Sequence, residues 1–238
     1  MLEVSQDIYS SWVLNHNLTT RVGTTLTFPP KSKSILRGQR YLKIKRVLDL
    51  LLGTCLLIGI LPIILLCAIV IRIDSAGPVF FAQYRTGRGG KRFKMYKLRT
   101  MVKDAEIRKK EVMHLNRHKS SIDFKAENDP RITRVGRILR KTSLDELPQI
   151  FNVLKGDMSL IGPRPTSFPS ATYHLWQTAR LDILPGITGL WQVSGRSEID
   201  FDDRSRLDIY YAQNFSLFLD IKILFKTFGA VLRAEGAE

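Results

Sequence analysis

The longest apolar stretch of the chain runs from Leu50 to Ile71, about 22 residues without a charge, which as a helix would extend ~33 Å and reach across a bilayer core. Pro62 sits near its middle with Gly59 just before it, and basic residues flank both ends, Lys43, Lys45 and Arg46 before and Arg72 after. Positive flanks favour the cytoplasmic side, and a proline bends a helix by removing an internal hydrogen bond. The pattern therefore predicts a re-entrant membrane helix hairpin over residues 41–75, bent at Pro62, in preference to a kinked single crossing. Asp49, at the foot of the run, is costly in lipid and is expected to pair with Lys45 or Arg46 or to lie at the headgroups.

On either side of this run the pattern changes. Residues 1–40 are rich in Ser, Thr and Lys without apolar periodicity and read as a mobile arm; the apolar run begins too late for a signal peptide. Val79 to Tyr84 and Arg92 to Leu98 are rich in aromatic and β-branched residues around Thr86-Gly87-Arg88-Gly89-Gly90-Lys91, which predicts a β-hairpin. That loop lacks the spacing of a phosphate-binding P-loop, so its glycines are assigned to the turn. Arg131, Arg134, Arg137 and Arg140 recur every third residue, roughly along one side of a helix. Thr142, Ser143 and Asp145 suit a helix N-cap, Ser143 and Glu146 have capping-box spacing, and Pro148 fits a first turn, so a helix is predicted from near Asp145 to Gly156. Leu217 to Leu232 reads as an amphipathic helix with Lys222, Lys226 and Arg233 on its polar side, suited to pack on the core or to lie in headgroups.

The 238 residues carry 37 Lys and Arg against 22 Asp and Glu, a formal net charge of +15, which calls for an anionic partner: nucleic acid, anionic lipid or a phosphorylated substrate. Cys55 and Cys67 both fall in the apolar run, so neither a disulfide framework nor a thiol metal site is expected. The four histidines show no ligand spacing. Within this basic chain the adjacent carboxylates Asp145 and Glu146 stand out as candidate chemistry, although a helix-capping role alone would account for them. Gly162-Pro163-Arg164-Pro165 and Pro185 to Arg196 are rigid Gly/Pro loops, each bearing an arginine.

Taken together, Lys45-Arg46-Val47-Leu48-Asp49, Gly77-Pro78-Val79-Phe80-Phe81, Lys94 to Met101, Ser143 to Gln149, Lys155 to Ser159 with Gly162 to Pro165, Pro185 to Arg196 and Asp208-Ile209-Tyr210-Tyr211 occur in an order that resembles the bacterial sugar transferases, the monotopic polyprenyl-phosphate phosphoglycosyl transferases. The ending Arg233-Ala234-Glu235-Gly236-Ala237 resembles the exopolysaccharide-priming type, and the length implies the catalytic unit without the additional transmembrane domain of larger relatives.

The resemblance implies an α+β fold: a mainly helical catalytic domain over residues 76–238 with a small β-hairpin, the re-entrant membrane helix hairpin and interfacial amphipathic helices. It implies a location on the cytoplasmic face of the bacterial inner membrane. It implies transfer of a sugar 1-phosphate from a UDP-sugar to undecaprenyl phosphate with release of UMP, Asp145 as nucleophile, Glu146 as its partner in holding Mg²⁺ or as a general base, and Lys97, Arg140, Arg164, Arg196 and Asp208 around the substrates. Where the family commonly has Ser before the hairpin proline this chain has Leu61, so Pro62 alone must impose the bend.

Two other classes remain open on sequence. Asp200-Phe201-Asp202 has the Asp-x-Asp form of metal-dependent glycosyltransferases that release UDP, though without a βαβ nucleotide-binding pattern. A non-enzymatic, membrane-anchored basic binding protein would account for the charge alone. No nucleic-acid-binding motif is present, so nucleic acid is not an expected partner.

Overall fold

The computed structural model describes residues 35–109, 112, 129–194 and 200–232. Most of the N-terminal arm, Arg196 and the Arg233 to Ala237 ending lie outside the described residues.

The apolar run belongs to a single 40-residue helix, α1 (Ile35–Asp74), with Pro62 inside it. The expected division into two helical arms at Pro62 is absent. Proline costs the carbonyl of Ile58 its helical partner. The helix nevertheless continues, and its inward side packs on protein both before and after the proline.

That side carries Asp49, Gly53, Leu57, Ile60, Ile64, Cys67 and Ile71, which recur at intervals of three and four residues. Ile64, Cys67 and Ile71 pack with Leu98 and Leu139, and Leu57 and Ile60 pack beside Met95, Ile150 and Val153. Polar pins hold the foot of the helix. The Arg46 guanidinium donates to the carbonyls of Val153 (2.6 Å) and Leu154 (2.9 Å), and Asp49 accepts the Leu160 amide at 3.0 Å. Asp49 thus pairs with backbone rather than with Lys45 or Arg46; Lys45 instead reaches Asp220 at 2.6 Å.

Strands β1 (Phe80–Thr86) and β2 (Arg92–Leu98) form the predicted antiparallel hairpin, with Phe80 opposite Leu98 and Thr86 opposite Arg92. Gly89 and Gly90 in its loop have φ of 63° and 77°, left-handed values that suit glycine, in line with the turn assignment.

Helix α2 (Arg134–Lys141) is capped by the Thr133 hydroxyl, which accepts the Gly136 amide at 2.9 Å. It lies so close to Thr100 that a Cβ on Gly136 would sit 2.0 Å from the Thr100 carbonyl oxygen. Arg131 falls before this helix, buried in a bidentate pair with Asp129, so the arginine row does not share one helical face.

The predicted helix start is corrected. Leu144–Glu146 form a 3₁₀ turn, and the α-helix that follows, α3 (Gln149–Lys155), begins four residues after Asp145. Ser143 does not cap it; its backbone is left-handed, φ 57°, and its side chain makes no cap bond. Gly156, φ 96°, ends α3 as expected.

Asn152 of α3 is fully buried and pairs with β2 as a strand would: its Oδ1 accepts the Tyr96 amide at 3.0 Å and its Nδ2 donates to the Lys94 carbonyl at 2.7 Å. Strands β3 (Ser159–Ile161) and β4 (Gly186–Thr188) form a short parallel pair. Their connecting loops touch backbone to backbone, and a Cβ on Gly186 would lie 2.1 Å from the Gly162 nitrogen.

Helices α4 (Phe201–Asn214) and α5 (Leu217–Leu232) complete the domain. Leu207, Tyr211 and Ile223 share a core with Ile161, Ile183 and Leu190. Asp220 joins α5 to α1, accepting from Tyr41, Lys45 and the Tyr211 hydroxyl. Helix α5 is apolar on two sides, because Phe218, Ile221, Phe225 and Phe228 form a second stripe that faces out of the domain. The fold is α+β, with mixed helix around small sheets and one long apolar helix.

Ser143 gives the first prediction. A left-handed conformation costs a non-glycine residue about 1–2 kcal/mol, and no cap bond would be lost on replacement. Ser143→Gly should raise the midpoint of thermal unfolding, at about 2–4 °C per kcal/mol for a chain of this size, and Ser143→Val should lower it. Equal melting of all three proteins would show that the turn carries no strain.

Candidate functional site

Asp145 and Glu146 lie on the 3₁₀ turn between α2 and α3, and neighbouring backbone is held firmly enough to fix where they point. Asn152 clamps α3 to β2, and β2 carries Lys97. The Lys97 Nζ stands between the two carboxylates, 3.3 Å from Asp145 Oδ2 and 2.7 Å from Glu146 Oε1. Arg164 approaches Glu146 from the other side with two donors, Nη1 to Oε2 at 3.2 Å and Nη2 to Oε1. Such a planar fork matches a carboxylate in a way that an ammonium does not.

The carbonyl of Arg164 accepts from the buried Arg180 Nη2 at 2.8 Å, and the same nitrogen pairs with Asp208. Thr86 donates its amide to the Thr166 carbonyl at 2.9 Å, so the hairpin supports this loop as well.

The surroundings push the two neighbouring carboxylates apart. Asp145 is buried, and burial drives its pKa up; Lys97 opposes the rise and the like charge of Glu146 adds to it, leaving a net increase. Burial also pushes Glu146 upward, but the attraction of Arg164 and Lys97 prevails and holds it well below the usual carboxylate range. Glu146 is thus held as the stronger acid of the pair and Asp145 as the weaker. Two titrating groups driven in opposite directions are a recurrent mark of reactive centres.

Arg140, whose own pKa is lowered chiefly by burial, donates its Nε to Thr100 Oγ1 at 2.9 Å and acts on Asp145 through its charge without a hydrogen bond. The structure thus brings together Asp145, Glu146, Lys97 and Arg164, with Arg140 close by. Asp208 stands apart, 1% exposed and paired with Arg180; burial lifts its pKa to about 7 against the pull of Arg180 and Arg164. It supports the Arg164 loop from behind. Arg196 lies outside the described residues.

Arg180 was not singled out from sequence. It stands in a polar segment with no motif of its own, and only its placement between Arg164 and Asp208 distinguishes it.

Among the described residues, no three His, Cys, Asp or Glu side chains gather as a ready ligand set for a metal. The pair of carboxylates nevertheless fits Mg²⁺, which takes one or two carboxylates and completes its shell with phosphate oxygens and water. Lys97 Nζ already occupies a position where both carboxylates hold a cation. The Asp-x-Asp tripeptide is committed elsewhere. Asp200 caps α4 by accepting the Asp203 amide at 2.8 Å, and Asp202 accepts from Gln177 Nε2 at 2.8 Å.

Comparison with known proteins places the chain in a family. The bacterial sugar transferase family matches residues 40–234. The undecaprenyl-phosphate galactose phosphotransferase of Salmonella typhimurium is 46% identical over 205 residues, 84% of this chain and 42% of that protein. The exopolysaccharide production protein ExoY of Sinorhizobium fredii is 37% identical over 92% of this chain and 98% of its own length. The UDP-N-acetylgalactosamine-undecaprenyl-phosphate N-acetylgalactosaminephosphotransferase of Aeromonas hydrophila is 36% identical over 97% of this chain and 53% of that protein. The chain spans about two fifths of the Salmonella protein and nearly all of ExoY. With a match that takes in the apolar helix, both carboxylates and the Arg164 loop, the chain belongs to the bacterial sugar transferase family.

Proposed function

We propose that the protein transfers a sugar 1-phosphate from a UDP-sugar to undecaprenyl phosphate and releases UMP, as a priming step of exopolysaccharide or related glycan synthesis. The observation that carries this reading is the buried Asp145–Glu146 pair bridged by Lys97, with Arg164 forked onto Glu146.

In the first step an ionised Asp145 oxygen attacks the sugar-bearing phosphorus. A P–O bond forms to Asp145, the bond from that phosphorus to the oxygen bridging to the UMP phosphate breaks, and UMP leaves with the electron pair. In the second step an oxygen of undecaprenyl phosphate attacks the same phosphorus, the aspartyl P–O bond breaks, and the carboxylate is restored. Two steps avoid bringing two polyanions together at once.

Lys97, Arg140 and Arg164 lower the cost of gathering phosphates near two carboxylates. Glu146, kept anionic, positions Lys97 and Arg164. Bound Mg²⁺, held by Asp145, Glu146 and phosphate oxygens, would neutralise charge on the departing phosphate.

The membrane reading has its own support. The outward side of α1 carries Leu51, Ile58, Leu66, Ile69 and Ile73, each about three-fifths to four-fifths exposed, and α5 adds Phe218 at 78% and Phe225 at 74%. Apolar area of this extent is covered in a working protein, and lipid is the cover that suits a helix with basic ends. The inward side of α1 rests on the domain from Arg46 to Ile71. A straight crossing would draw that polar domain into hydrocarbon. Both ends of α1 are therefore assigned to the cytoplasmic face of the inner membrane, with the unbroken helix lying along the bilayer surface on its apolar side rather than turning back at Pro62.

Asp145→Asn should abolish turnover with expression and membrane association intact. Wild-type protein given labelled UDP-sugar without acceptor should keep labelled sugar phosphate after denaturation, and a stoichiometric release of UMP without retained label would overturn the covalent route.

The acid limb of kcat/KM should lie above the ordinary aspartate range near pH 3.9. With a raised pKa, Asp145 becomes protonated, and so non-nucleophilic, as pH falls through that raised value. Lys97→Gln removes the charge that holds Asp145 down, so its residual activity should show the limb moved to higher pH; a shift to lower pH would contradict the assignment.

Single cysteines replacing Arg40 and Lys91, in a variant with Cys55 and Cys67 replaced, should both resist an impermeant thiol reagent in intact cells. Labelling at the Arg40 position alone would mean a true span.

A further inference from the structure

A cleft of about 270 Å³ opens between the foot of α1 and the body of the domain, lined from α1 by Lys43, Lys45, Arg46 and Asp49 and from the β1–β2 loop by Arg88. The remaining wall is largely apolar, with Ile183, Leu184 and Phe215. Four cations against one carboxylate give the lining a formal charge of 4 − 1 = +3.

Several of these charges are engaged in building the walls. Lys45 is paired with Asp220, Arg46 with two carbonyls of α3, and Asp49 with the Leu160 amide. Two cations remain with donors to offer. Lys43 is exposed, and Arg88 uses only its Nε, on the Asp182 carbonyl at 3.1 Å.

Cationic donors beside an apolar wall suit a phosphate that carries hydrocarbon. The position agrees: Lys43 precedes the apolar run by seven residues, about two helical turns or ~10 Å. With α1 lying in the membrane as proposed above, the cleft comes to headgroup depth.

We propose that this cleft seats the phosphate of an anionic phospholipid, with Lys43 and Arg88 on the phosphate and Ile183, Leu184 and Phe215 along the start of an acyl chain. The site is separate from Asp145 and Glu146. It rests on the membrane placement and is independent of the transfer reaction, so a failure of either reading leaves the other standing.

The full chain is reconstituted in nanodiscs of phosphatidylcholine with phosphatidylglycerol, released gently, and weighed by native mass spectrometry. The wild type should retain a single phosphatidylglycerol, and the double variant Lys43→Gln/Arg88→Gln should bind it roughly 30-fold more weakly, from about 1 kcal/mol for each basic residue near an anionic surface. Leu184→Trp fills the cleft without changing charge and should also expel the lipid, which guards against a misleading result from one misfolded variant. Lys141→Gln/Lys155→Gln, exposed residues outside the cleft lining, should retain it.

Retention unchanged in both cleft variants would overturn the site. Equal loss in the Lys141/Lys155 control would reduce the effect to general surface charge and overturn it equally. Displacement of phosphatidylglycerol, one for one, by added undecaprenyl phosphate would assign the cleft to the acceptor instead.

Discussion

Two consecutive carboxylates held away from water repel one another, and the rest of the centre is arranged around that repulsion. At an effective dielectric near 20, two like charges about 4 Å apart cost roughly 4 kcal/mol, so an uncompensated pair would shed a charge. Lys97 lies between them, Arg164 is forked onto Glu146, and Arg140 lends its field to Asp145. Each cation is fixed in turn: Lys97 by a strand that Asn152 binds to α3, Arg164 by a loop whose carbonyl accepts from Arg180, itself paired with Asp208, and Arg140 by Thr100. The unequal sharing of these cations gives two neighbouring carboxylates different electronic character.

The same economy governs the long helix. Its inward side is set by protein contacts at helical spacing, and its outward side is left almost wholly apolar. A helix buried all round would need no such division, and one meant only for water could not tolerate it. The polar pins at its foot lie where the apolar run begins, so the helix is oriented by hydrogen bonds at one end and by side-chain packing along its length.

Much of this was legible in the sequence. The hairpin over Arg92–Leu98, the last helix at Leu217–Leu232 and the stop at Gly156 follow from periodicity and turn chemistry, which are local properties. The neighbourhood of Asp145, Glu146, Lys97 and Arg164 was legible through the ordered motifs, because no local rule brings residue 97 to residue 146. The misreadings are instructive. Ser143 has the composition of a cap and the conformation of a turn, since the chain must redirect two carboxylates before α3 can begin. Asp208 lies behind Arg164, and its partner Arg180 leaves no mark in the sequence, because a buried ion pair 28 residues apart has no spacing to read. The two apolar sides of α5 do not separate in the sequence, which leaves core packing and headgroup placement both open, since a helix that serves two apolar neighbours shows only high hydrophobicity.

Asn152 has a consequence for how the molecule comes apart. A two-stranded hairpin is marginal in isolation, and here one fully buried amide closes the free edge of β2 by satisfying both Lys94 and Tyr96. The hairpin therefore cannot fray without breaking its bond to α3, and α3 cannot detach without exposing a strand edge. Opening of the hairpin and release of α3 are thereby coupled, and the stretch of edge that would template pairing with another chain stays covered while that amide is in place.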